Sequence, residues 1–285
     1  MHCSSKFSKK AFFIVVSMLL FTACARKSAD IISDDDNGGY ASDASRIEWA
    51  GDDVISIADA AGLVYNGAYM RTTHTTGLGT CATVGTDTNS IPHKLTIRFG
   101  PADCQCLDGR LRRGTIMVSY NGQYFNPSQI HTITFDNYFI NDNQLTGVIK
   151  TIRVDTTVLG NWYYKVIVND SLNMSQDPLN SQYVIWQGTI VRKWAQGYAT
   201  TADRSDDVFS ISGNATLTRP SGHQFSCDIA TPLQFALNCD FCESGVIDVT
   251  GFTPPMRVLN YGNGACDKFA QFSNGPNVYN ITLVK

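Results

Sequence analysis

The chain has 285 residues, of which 43% are hydrophobic and 16% charged, with 22 Lys and Arg against 25 Asp and Glu for a net charge of −3. About a quarter is the usual charged share, and aromatics are plentiful here. Composition therefore excludes the disordered class, which needs high charge and few aromatics. No basic stripe is present to neutralise phosphates, which excludes an electrostatic nucleic-acid binder.

Lys6, Lys9 and Lys10 precede an apolar run from Ala11 to Phe21, broken only by Ser17. The run is about half of the roughly 20 residues needed to span a bilayer, so residues 1–23 read as a signal peptide. It ends in Leu20-Phe21-Thr22-Ala23-Cys24, which resembles the lipobox of bacterial lipoproteins. In that family the chain is cut before the cysteine, and its thiol and new amine are acylated. The resemblance implies lipid on Cys24 and attachment to a membrane through it, at about 0.8 kcal/mol per buried methylene. The alternative is an ordinary secretory peptide cut near Ala23 or Ala25, with Cys24 incidental. Removing residues 1–23 takes away three lysines and no acid. That leaves 19 basic and 25 acidic residues, a net charge of −6, and argues against a second, polybasic membrane contact.

Residues 24–45 are small, polar and acidic, with Ser33-Asp34-Asp35-Asp36-Asn37-Gly38-Gly39 at their centre. They read as a flexible tether. Acids after a lipidated cysteine resemble the surface-export signal of Bacteroidota lipoproteins, which implies outer-membrane attachment with outward display. Asp34–Asp36 lack the alternation of a calcium loop.

A short helix is expected next, with Val54, Ile57, Ala58 and Ala61 on one face. Asp52 and Asp53 would sit at its N-terminus and Gly62 would close it. Beyond it the period becomes two. Leu95–Phe99, Thr115–Tyr120, Ile130–Phe135, Tyr164–Val168, Val184–Trp186, Val208–Ile211, Val246–Val249 and Val278–Leu283 read as strands rich in β-branched and aromatic residues. Asn121-Gly122, Asn141-Asp142-Asn143, Gly160-Asn161, Pro220-Ser221-Gly222 and Asn274-Gly275-Pro276 supply turns. Tyr138–Ile140 with Leu145–Val148, and Val208–Ile211 with Asn214–Leu217, each read as strand, turn, strand. Short connections require antiparallel neighbours. Residues 46–285 are therefore expected to form a single all-β domain. It would be an antiparallel meander of about a dozen strands, curled or folded into two layers, with one short N-terminal helix.

Several phrases occur in order. They are Ile97-Arg98-Phe99-Gly100 with Cys104 and Asp108-Gly109-Arg110, then Arg113-Gly114, then Thr134-Phe135-Asp136-Asn137-Tyr138 with Asn141-Asp142-Asn143. Trp194, Gly197, Asp206-Asp207-Val208, Gly213 and Thr231-Pro232-Leu233 follow. Tyr261-Gly262-Asn263-Gly264 with Cys266-Asp267 and Tyr279-Asn280-Ile281-Thr282-Leu283 close the series. Over roughly residues 50–285 this set resembles a family of uncharacterised β-rich lipoproteins common in Bacteroidota. The resemblance implies an envelope address and a β-rich body, and carries no functional residue.

Besides Cys3 and Cys24, seven cysteines remain: Cys81, Cys104, Cys106, Cys227, Cys239, Cys242 and Cys266. Export favours disulfides. Cys81 lies at the start of one strand pattern and Cys104 just after the next, so a hairpin could bring them together, with Cys106 as the alternative partner of Cys81. Cys239 with Cys266 is the analogous pair at the C-terminal end, and Cys227 with Cys242 would be a third. The family-like phrases contain Cys104, Cys239 and Cys266, which favours those pairings. Cys239-x-x-Cys242 has zinc or redox spacing, but no second such pair exists, and Asp240 and Glu243 would raise its thiol pKa values. No metal or cofactor is expected.

No nucleophile elbow, H-E-x-x-H, P-loop or dinucleotide fingerprint occurs. The histidines are scattered, and His131, alternating with Ile130 and Ile133, is expected to face solvent. Asp136, Asp206, Asp207 and Asp267 are the carboxylates that could support hydrolysis, although capping of turns and strand ends explains them as well. Arg110, Arg112 and Arg113 form one basic cluster, expected in a turn. Aromatics crowd the middle third. Alternation would put Phe135 and Phe139 on one face and Tyr138 on the other. Tyr138, Trp162, Trp186 and Trp194 are the candidates for an outward stacking platform. No catalytic set emerges. The expectation is a non-catalytic, lipid-anchored envelope protein that binds or scaffolds an envelope protein or other component. A surface glycan binder and a carboxylate hydrolase are the alternatives.

Overall fold

In a computed structural model, residues 39–65, 78–154, 163–174, 182–200, 204–251 and 256–283 are described, and they belong to one compact unit. Cys24, Trp162, the 160–161 turn and residues 24–38 lie outside them. One helix, α1 (Gly39–Tyr65), comes first. Thirteen strands follow: β1 (Thr83–Asp87), β2 (His93–Gln105), β3 (Leu111–Tyr120), β4 (Ile130–Ile140), β5 (Asn143–Val154), β6 (Tyr163–Asn173) and β7 (Tyr183–Gln196). The rest are β8 (Val208–Thr218), β9 (Gln224–Ala236), β10 (Ser244–Thr250), β11 (Arg257–Asn263), β12 (Phe269–Asn274) and β13 (Asn277–Thr282). Each pairs antiparallel with the next in a single sheet whose order is the chain order. The all-β meander is as expected, and β1 and β13 leave the sheet open.

The helix departs most from the sequence reading. It has 27 residues, not two turns, and begins at Gly39, so residues 39–45 belong to the folded body rather than the tether. Tyr40, Ala41 and Ala44 are fully buried, and Tyr40 stacks on Phe225 of β9 with ring centroids 4.7 Å apart. Nor is the helix amphipathic. Ile47, Trp49, Ala50, Val54, Ile55, Ile57, Ala58 and Ala61 point around its whole circumference and are all buried. A helix buried all round must be enclosed, and the sheet curls about it. Gly62 is not a cap: it lies inside the helix, where its missing side chain admits the Tyr124 ring.

The curl comes from local backbone devices. Gly114 in β3 has φ +86°, and any side chain there would collide with the Asn137 carbonyl of β4. Opposite it, β4 carries an irregularity between Thr134 and Phe139, with Asn137 at φ +47°. Such a bulge shifts the alternation. Phe135 and Tyr138 therefore stack on the same side, centroids 5.8 Å apart, while Phe139 lies under Arg113. This corrects the face assignment of all three. Val208–Ile211 and Asn214–Leu217 are one strand, not two, because Gly213 with φ +120° forms a bulge where a turn was read. Asn141 and Asp142 do form the expected tight turn, both at positive φ, between paired Ile140 and Asn143.

Candidate functional site

Alternation along the strands turns one residue in two toward the helix. On β3 that set includes Arg112, on β7 Arg192, and on β11 Arg257, each at most 2% exposed. The helix answers with Glu48, Asp52, Asp53 and Asp59, all buried. Asp53 Oδ1 accepts from Arg112 Nη2 at 2.6 Å and from Arg110 Nη1 at 2.7 Å. Asp108 closes the group, its Oδ2 2.7 Å from Arg112 Nη2. Burial pushes the Asp108 carboxyl up, but the hydrogen bonds and charge of Arg112 and Arg110 outweigh it and hold the group below the usual carboxylate range. At the adjacent position of the helix, about 100° further round its axis, Asp52 pairs with Arg192, whose Nη2 also donates to Ser56 at 2.7 Å.

Arg110 carries this network to the surface. Its guanidinium lies 4.8 Å from the Trp49 ring centroid and 3.7 Å from Asp240, and it lines a cleft of about 600 Å³. Leu237, Phe241, Asp267 and Lys268 line the same cleft. The Cys239–Cys266 disulfide pins the segments that carry them, with Cα atoms 5.7 Å apart. Arg110 already faces Asp53, Asp108 and Asp240, so its charge is not spare for an anionic ligand, and Lys268 is the other cation of the lining. The three arginines are thus not a turn cluster. Arg110 and Arg112 reach inward, and Arg113 pairs outside with Asp103 and Asp142.

Other candidate residues are placed differently. Tyr138 and Trp186 are core residues, 0% and 2% exposed, so they form no outward platform. Trp194 is partly buried, stacks on Phe209 and donates from Nε1 to Asp207 at 3.0 Å. Asp207 is fully buried and also accepts from Arg204. Burial raises its pKa against the pull of Arg204 and Trp194. A side chain at Gly197 would collide with Asp207. Trp194, Gly197 and Asp207, separate phrases in the sequence, thus tie the end of β7 to the start of β8. Asp206 accepts from Thr200 at 2.6 Å, Asp267 from the Phe269 amide at 2.8 Å, and Asp136 from Asn137 at 3.3 Å. These are local turn and strand-end bonds.

Cys81–Cys104 is the second disulfide, again with Cα atoms 5.7 Å apart. Cys227 and Cys242 are not joined, contrary to the third pairing; they and Cys106 are free and buried. Ser244, beside Cys242, pairs with Gln234, seven residues along β9 from Cys227, or roughly 23 Å at ~3.3 Å per residue. Burial pushes the Cys227 thiol up to about 12, which makes it inert. Cys239 and Cys266 lie near Glu243, but a disulfide offers no thiolate to a metal.

One buried group lies where the sequence reading did not put it, and another carries no sequence signal. His131 is 2% exposed, not solvent-facing; it stacks on Tyr124 and donates from Nε2 to the Tyr124 carbonyl at 2.8 Å. Burial pushes its pKa down to about 4. Among the described residues, no cation pairs with Glu48 or Asp170 as the arginines pair with Asp52 and Asp53. Burial and then the charge of Asp52 push Glu48 up to about 8. Burial and then Glu48 raise Asp170 far above the carboxylate range. No family model, curated protein or solved structure matches the chain.

Proposed function

We propose that the protein is a non-catalytic, lipid-anchored envelope protein, held through Cys24 and belonging to the Bacteroidota lipoprotein family its phrases resemble. Its β-body binds or scaffolds another envelope component at the outer membrane. The observation that carries this reading beyond the lipobox is the filled interior. A curled sheet offers a ligand its concave side, and here α1 occupies that side, with its Asp52 and Asp53 paired to Arg192 and Arg112 of the sheet. Binding then falls to the outer face, the loops and the open edges. The glycan-binding alternative keeps its chemistry but loses Tyr138 and Trp186 as its platform.

Labelling cells with an alkynyl palmitate analogue tests the anchor. The expected result is a labelled protein in the outer-membrane fraction, with label and membrane retention both lost in Cys24→Ser. An unlabelled wild-type protein recovered in the soluble periplasm would overturn the anchored reading.

A further inference from the structure

On the outer face of the last three strands, register aligns a row of amides. Asn260 of β11 lies opposite Gln271 of β12, and Gln271 opposite Asn280 of β13. All three are exposed, while their neighbours Leu259, Ala270 and Phe272 turn inward to the core. The row floors a groove of about 700 Å³. Phe269, 58% exposed, stands two residues from Gln271 on the same face. Gly262, two residues from Asn260, also lines the groove, and a Cβ there would meet nothing within 4 Å. The space beside an exposed aromatic ring is therefore open. Asp267 is the one charged residue of the lining.

We infer that this groove is a binding site for a neutral saccharide. Amides present both a donor and an acceptor, which matches hydroxyl groups that do both. The Gln271 amide donates to Asn280 Oδ1 at 3.5 Å, and Asn260 Oδ1 accepts from the Gly262 amide at 2.8 Å. These bonds orient the row and leave the Asn260 and Asn280 NH₂ groups and the Gln271 carbonyl to face hydroxyls. Phe269 supplies a flat apolar surface for the C–H face of a sugar ring, and a few fixed polar groups beside an apolar wall are the usual build of a small-molecule site. A lining without Lys or Arg and with one carboxylate selects against sulfated or uronic-acid glycans. The site goes beyond the anchored-body reading, since it would bind with or without lipid on Cys24.

Affinity electrophoresis of the full chain in detergent tests it, with amylopectin, xyloglucan and galactomannan as neutral probes and chondroitin sulfate as the anionic one. Retardation by at least one neutral probe is expected, with none by chondroitin sulfate. Phe269→Ala and Gln271→Ala should each weaken that retardation about tenfold, or ~1.4 kcal/mol, while keeping the wild-type melting temperature, because both side chains are exposed. No retardation by any neutral probe would overturn the site. So would equal retardation by chondroitin sulfate, or retardation unchanged in both variants. Palmitate labelling reports separately on Cys24, so failure of the groove and failure of the anchor are distinguishable.

Discussion

Asp53 of the helix and Arg112 of β3 meet 2.6 Å apart, with side chains 3% and 0% exposed. A charge pair so enclosed gains little net stability over apolar residues of equal size, but removing one partner strands the other. Asp53→Ala leaves Arg110 and Arg112 with Asp108 alone inside the sheet. A loss of about 3–5 kcal/mol is expected in urea unfolding. The double variant Asp53→Leu with Arg112→Met should lose less than the two single changes combined. A strictly additive double variant would show that the pair does not couple.

Stability should respond to pH in two opposed ways. His131 has a folded pKa of about 4, below its usual 6.5. A depressed histidine adds stability that is present above the unfolded value and lost as pH falls from about 6.5 to about 4, up to ~3 kcal/mol. Glu48 is raised to about 8. Its contribution is full below about 4.5 and is lost as pH rises through 8, costing roughly 3 kcal/mol by pH 7. Glu48→Gln should therefore raise stability at pH 7 by about 1–3 kcal/mol and flatten the profile above pH 5. His131→Gln should flatten it below pH 6.5. Chemical denaturation across pH 4–9 checks both slopes.

Peptide mapping without reduction should recover Cys81 joined to Cys104 and Cys239 to Cys266. The bridges span 23 and 27 residues of sequence. Loss of either should cost about 2–4 kcal/mol. Cys106, Cys227 and Cys242 should resist a thiol reagent in the native protein and react once it is unfolded. A peptide joining Cys227 to Cys242 would contradict the strand positions.

Gly114→Ala tests the curl. The new methyl would strike the Asn137 carbonyl in a left-handed backbone, and a loss of about 3 kcal/mol or more is expected in thermal or urea unfolding. Gly222→Ala shares the positive φ but meets nothing within 4 Å, and should lose about 1 kcal/mol.

Period-two runs revealed most strands because their apolar residues share one buried face. β9 escaped notice because Pro232 and the irregularities about Ile211/Asn214 and Val246 interrupt its alternation. The full length of the helix, from Gly39, escaped for a different reason. Its Asp and Glu residues suggest solvent, and periodicity detects a helix only when one side is polar by contrast. Nothing local marks Arg112 and Arg192 as the partners that let those acids be buried. That match exists only once strands far apart in sequence surround the helix. The amide row was equally hidden, since Asn260, Gln271 and Asn280 become neighbours through strand register alone.

Hydrogen exchange read by mass spectrometry is the most direct test of a helix enclosed by its sheet. The expected result is that peptides within residues 39–63 exchange as slowly as those of β6 and β7, opening only with global unfolding. Exchange of the helix within seconds, while β6 and β7 stay protected, would contradict an interior filled by α1. It would return the concave face of the sheet to the list of binding surfaces.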